Sequence, residues 1–133
     1  MAYPSGSGSE RLMRGTIHAQ GSTETAFKFD GTHPATGTNS GTGYTVATNH
    51  IITLLNFQVC EMSGSHTNFR IILKCQPSGT DMQLLDQQIL PADSTFVWNE
   101  KIVLHPTDSF HIKQVGGGTN FDVYYSYIDQ DWT

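Results

Sequence analysis

The chain has 133 residues, 37% of them hydrophobic and 14% charged, with a formal net charge of −5. That length holds one domain with one core and needs no disulfide staples, and the low charged share, filled in by Thr, Ser, Gly and Asn, fits a β-rich chain with polar, uncharged loops. Lys and Arg are scattered at positions 11, 14, 28, 70, 74, 101 and 113, leaving no basic stripe for a phosphate backbone and no run near the ~20 apolar residues that span a bilayer, so neither nucleic acid nor a membrane is expected as a partner.

The chain opens Met-Ala-Tyr-Pro-Ser-Gly-Ser-Gly-Ser, without the cationic and apolar stretches of a secretory signal, and synthesis in the cytoplasm is expected. Residues 1–9 read as a Gly/Ser-rich arm and residues 10–133 as a single β-sandwich domain. Ordering nine residues costs on the order of 10 kcal/mol, at roughly 1–2 kcal/mol each. Little in the arm besides Tyr3 and Pro4 offsets that cost, so the arm is expected to be held by another chain. Ala2, Tyr3 and Pro4, with Arg11 and Arg14 just beyond, are the candidate docking residues.

From position 10 the chain is a series of short runs with period-two alternation. About eight strands are predicted, over residues 11–20, 24–30, 44–48, 50–62, 68–76, 82–90, 95–104, and a final pair, 109–115 and 121–129. Residues 44–62 form one bent strand or two. In the central run Ile51, Leu55, Phe57 and Val59 share a parity opposite Asn56 and Gln58. Phe69, Ile71 and Leu73 do the same, as do Phe96, Trp98, Ile102 and Leu104, and Phe121, Val123, Tyr125 and Tyr127. These are half-buried strands. Turn chemistry separates them at residues 77–81, 91–94, 105–108 and 116–120, and the segment 31–43 is a long Gly/Thr-rich loop. Residues 81–88 come nearest to a helical pattern, but the run is short and Pro91 closes it. The fold class is all-β, an antiparallel, jelly-roll-like sandwich.

Cys60 and Cys75 lack metal-ligand spacing and read as two reduced, buried thiols, with a bridge open if their strands pair. No nucleophile elbow, phosphate-binding glycine loop, His-Glu-x-x-His or Cys-x-x-Cys motif is present, so no enzyme activity, no metal and no cofactor is expected. His18 and His111 would be the better metal ligands were they cross-strand neighbours, and Asp129 with Asp131 share a face in an extended chain. Glu61 with Asp86 or Asp93 is the conceivable glycosidase pair. Near the C-terminus, alternation sends Tyr125 and Tyr127 inward. Tyr124 is left outward and Trp132 in the tail, which makes these two the candidate subunit-interface residues, although the tail folding back over its own sandwich is an equal alternative.

The march Leu90-Pro91-Ala92-Asp93-Ser94-Thr95-Phe96-Val97-Trp98-Asn99, then Ile102-Val103-Leu104, Thr107-Asp108-Ser109-Phe110 and Phe121-Asp122-Val123-Tyr124-Tyr125-Ser126-Tyr127 resembles small virion proteins of tailed bacteriophages. The run from Thr48 to Leu54 and the closing stretch from Tyr127 to Thr133 are similar to structural proteins of marine phages. The resemblance covers residues 45–133 and implies a head decoration (cement) protein. Its partners would be the major capsid protein and its own copies, as a trimer on the capsid surface of the virion. A tail, fibre or vertex component is the alternative in the same class. From another class comes a carbohydrate-binding module with Trp98, Tyr124 or Trp132 as its stacking platform.

Overall fold

A computed structural model of the chain describes residues 8–31, 45–75, 80–116 and 120–132. They form nine strands: β1 (Ser9–Gln20), β2 (Thr25–Ala26), β3 (His50–Glu61), β4 (Thr67–Cys75), β5 (Thr80–Leu90), β6 (Thr95–Trp98), β7 (Ile102–Leu104), β8 (Ser109–Gly116) and β9 (Phe121–Asp131). One sheet runs β1-β9-β3-β6, with β7 also on β3, and the other runs β2-β8-β4-β5. All pairings are antiparallel. With β6 and β7 counted as one broken strand, first pairs with last (β1·β9), second with second-last (β2·β8), then β3·β6/β7 and β4·β5. The long ribbon so formed is wrapped on itself through β3·β9 and β4·β8. That connectivity is a jelly roll.

Between the sheets lies one core, in which Ile17, Phe27, Phe29, Ile52, Leu54, Phe57, Val59, Phe69, Ile71, Phe110, Ile112, Phe121, Val123, Tyr125 and Tyr127 are buried. Phe27 sits at its centre, 4.8 Å from Phe110 and 4.6 Å from Tyr125 between ring centroids. Both separations lie in the favourable range for aromatic pairs. The Tyr125 ring fits only because position 15 lacks a side chain: a Cβ there would stand 2.1 Å from its Cζ.

Several strand expectations need correction, each for a local reason. The predicted strand over residues 24–30 shrinks to Thr25–Ala26: Phe27 still donates its N–H to the Phe110 carbonyl of β8 at 2.7 Å, but from Lys28 onward tyrosine hydroxyls bond the backbone. Tyr125 Oη accepts from the Lys28 N–H at 2.9 Å and donates to the Lys28 carbonyl at 2.7 Å, and Tyr127 Oη accepts from the Gly31 N–H at 3.1 Å. Residues 45–48, expected as a strand, are irregular. There Val46 is buried and bonds the 105–108 turn, donating to Asp108 O at 2.8 Å and accepting from Thr107 N at 2.9 Å.

In β3 the predicted parity fails in its first half. A bulge between Leu54 and Asn56 inserts Leu55, so Ile52 and Leu54 point inward, and Ile51 and Leu55 do not. One inserted residue flips every side chain on one side of it. The 95–104 strand breaks into β6 and β7 beside the same bulge.

The two cysteines lie in opposite sheets and carry thiols, so no bridge joins them; Cys60 is exposed, against the expectation of burial.

Candidate docking surface

The five-stranded sheet turns one face inward, and pairing registers fix which side chains line the other. Leu12 stands opposite Ile128, Ile128 opposite Thr53, and Thr53 opposite Val103, a row that crosses every strand of this sheet at that level. Leu12 is 75% exposed and Val103 53%. A second row runs Thr16, Tyr124, Gln58, Val97, with Tyr124 and Val97 both exposed. Between the two rows Ser126 Oγ donates to Asn56 Oδ1 at 2.6 Å. The centre of this face is therefore apolar or neutral. Among the described strand residues its acidic and basic groups, Glu10, Arg14 and the His18–Asp122 pair at 2.8 Å, lie on β1 and β9. Beside Tyr124 a shallow groove of about 240 Å³ is lined by Thr16, His18, Gln58, Cys60 and Asp122.

Two polar clusters hold the margins of the sheet. Asp129 continues the inward parity of Tyr125 and Tyr127 and is buried at the end of the core. A buried carboxylate needs partners. Asp129 has Arg11 at 3.1 Å and His50 Nδ1 at 2.8 Å, while His50 Nε2 lies 3.6 Å from Asp131. This cluster ties the starts of β1 and β3 to the end of β9.

At the opposite end Glu61 is buried and clamps two turns. It accepts from the N–H groups of Ser63 at 2.8 Å, Gly64 at 3.0 Å and Asp93 at 2.9 Å, and from the Ser63 hydroxyl. The Asp93 amide, then the Ser63 hydroxyl, hold its carboxyl down to about 2, against the opposing effect of burial. Donors that stabilise the ionised form lower a carboxyl pKa.

The sequence-derived site residues are distributed over this frame. Ala2, Tyr3 and Pro4 lie outside the described residues. Arg11 binds its own chain through Asp129 yet keeps 57% of its side chain exposed. Arg14 is exposed on the outer face, and no carboxylate among the described residues pairs with it. Tyr124 is outward as expected, at 40% exposure. Trp132 is half-buried, its indole near Gly8 and its N–H donating to the Asn49 carbonyl at 2.9 Å through the backbone. Trp98 points inward, stacked 5.7 Å from Phe57 with its Nε1–H on the Glu100 carbonyl, so of the three candidate stacking residues Tyr124 is the one on the outer face.

His18 and His111 sit in different sheets and are not neighbours, and among the described residues no cluster of three or more His, Cys, Asp or Glu side chains is arranged to hold a metal. Of the two conceivable glycosidase pairs, Glu61 with Asp86 does not assemble, since Asp86 is paired with Arg70 at 2.8 Å on the other sheet; Asp93 does lie beside Glu61, and donates its backbone N–H to it at 2.9 Å. Sequence reasoning missed the Leu12–Val103 row, because its members become one row only once the register across strands is known.

No family model matches the chain, and no curated protein matches it. Among solved structures it is similar to a protein from Bacillus endospore appendages, a family of disulfide-linked pili, at 11% identity and a TM-score of 0.47, over 96% of this chain and 91% of that one. At that distance the architecture stands on the strand order alone.

Proposed function

We propose that the protein is a non-catalytic structural subunit that docks onto a larger protein assembly through the outer face of its five-stranded sheet. The observation that carries this reading is the Leu12, Ile128, Thr53, Val103 row, which crosses the sheet with two exposed aliphatic side chains and no charge. Size supports it too: strands about 4.8 Å apart and a twelve-residue β3 at about 3.3 Å per residue give the face a projected area of roughly 700 Å². A specific protein contact takes about 800 Å² from each partner.

The finer reading is a head decoration protein that binds the major capsid protein on a bacteriophage shell. It rests on the resemblance of residues 45–133 to tailed-phage virion proteins, and the jelly-roll order is compatible with it. Quantitative mass spectrometry of purified particles tests this reading. Hundreds of copies per particle mean decoration, a handful mean a tail or vertex role, and none overturns a virion role altogether.

A further inference from the structure

Edge strands present unpaired backbone groups that template strand addition, and proteins blunt them with bulges, breaks or brevity. Three of the four edges in this sandwich are blunted. β2 is two residues long, β6/β7 is broken, and β5 slips register against β4 twice, with Asp81 and Asp86 exposed along it. Among the described residues β1 is the exception in length and register, although it too carries exposed charges at Glu10, Arg11 and Arg14. It pairs with β9 in unbroken register from Ser9 to Ile17. Its first six residues include five exposed ones, and Leu12 is 75% exposed.

We propose that the β1 edge joins a second copy of the chain, antiparallel about a two-fold axis at Leu12, so that two five-stranded sheets fuse into one. A two-fold axis normal to the sheet pairs residues of like parity, so paired residue numbers sum to an even value. With both strands centred on Leu12, Glu10 faces the second copy's position 14, an arginine, and Arg14 faces the second copy's position 10, a glutamate. The two Leu12 side chains meet at the axis.

Moving the axis two residues to position 10 sets Glu10 against Glu10, and moving it two residues the other way to position 14 sets Arg14 against Arg14. Both are penalised, because like charges directly opposite destabilise a strand pair. Among the described residues Glu10 accepts from an amide, Gln130 Nε2 at 2.7 Å, and pairs with no cation, and Arg14 has no carboxylate partner. Joined this way, each charge finds its complement, and the exposed leucine is covered.

The test is sedimentation velocity on the full chain. The wild type is expected to form dimers, and Glu10→Arg or Arg14→Glu alone to weaken them about tenfold, two symmetry-related pairs being turned repulsive. The double variant Glu10→Arg/Arg14→Glu recovers the wild-type affinity within about threefold, because the pairs reappear reversed. In a Cys60→Ser background, Leu12→Cys is expected to form a covalent dimer on mild oxidation, since the two positions meet at the axis.

A chain that stays monomeric overturns the proposal. So does a trimer untouched by the charge variants, the result expected if Tyr124 and Trp132 carried self-association. The proposed docking role fails separately: Val97→Lys/Val103→Lys lies on the far side of the sheet and changes particle binding without changing the dimer.

Discussion

On the outer face of the four-stranded sheet Arg70, Lys74, Glu24, Asp81 and Asp86 pair among themselves, whereas on the five-stranded sheet the central side chains are aliphatic or neutral and, among the described residues, make no ion pair. Arg70 binds Asp86 at 2.8 Å, and Lys74 lies 3.0 Å from Glu24 and 3.9 Å from Asp81. His111 is buried beside them, 2.8 Å from Ser109 Oγ and 3.3 Å from Glu24. A face with its charges satisfied internally is complete in water. One that lays Leu12, Ile128 and Val103 in a row gains free energy when covered, at about 25 cal/mol per Å² of apolar surface. The edges repeat the contrast: β5 is bulged and acidic, while β1 keeps its register from Ser9 to Ile17 and is largely exposed over its first six residues.

The largest break in this contrast comes from inside. Gly15→Ala drives a Cβ into the Tyr125 ring, displacing either the ring, with its bonds to Lys28, or β1 itself. Urea unfolding is expected to show a loss of about 3 kcal/mol, the upper end for overpacking a core.

Next comes the apolar face. Val97→Lys/Val103→Lys should weaken particle binding about a hundredfold, while stability moves by less than about 0.5 kcal/mol, as for surface substitutions generally. Lys113→Glu on the other face should leave binding within about twofold, at the level of a near-neutral contact.

Acid distinguishes the charged side and the turns from the apolar face. Desolvation lowers the His111 pKa below its ordinary 6.5, with Glu24 pulling the other way. Its neutral form therefore stabilises the fold above about pH 6.5, and that contribution fades as pH falls through the lowered value. Glu61, lowered from 4.5 to about 2, stabilises the fold above about pH 4.5 and loses its contribution on the way down to 2. Melting temperatures should accordingly fall in two windows. His111→Gln is expected to flatten the first and Glu61→Gln the second, each with a lower melting temperature at pH 7. The smallest effect belongs to Arg70→Ala, which removes a partly exposed ion pair and should cost less than about 1 kcal/mol by urea unfolding, with binding unchanged.

Most of the architecture was legible in the chain because alternation reports burial directly: β9 reads as a strand from Phe121 to Asp129, and turn chemistry marks both ends of β8. What alternation misses is backbone bonded by side chains. Lys28 to Asp30 look like the continuation of β2, yet tyrosine hydroxyls from β9 bond the backbone at Lys28 and Gly31. The Leu55 bulge is also silent, since an inserted aliphatic residue keeps the composition of a strand while reversing its facing. Asp129 shares the core parity of Tyr127, but its own run carries no sign that Arg11 and His50 converge on it. Rows across strands depend on register, which no single run contains, and so the docking face came into view only with the fold.

Cys60 offers a native reporter for the central claim, since its thiol is exposed on the apolar face beside Tyr124. The decisive measurement is its rate of alkylation by a maleimide, compared between the isolated chain and the chain on the purified particles that carry it, with acetylation of Lys113 on the opposite face as the control. Docking through the five-stranded sheet predicts rapid labelling of Cys60 in isolation and at least tenfold protection on the particle, with Lys113 equally reactive in both; protection of that order corresponds to a face covered about nine-tenths of the time. Equal labelling of Cys60 in both states, with Lys113 protected instead, would contradict the account.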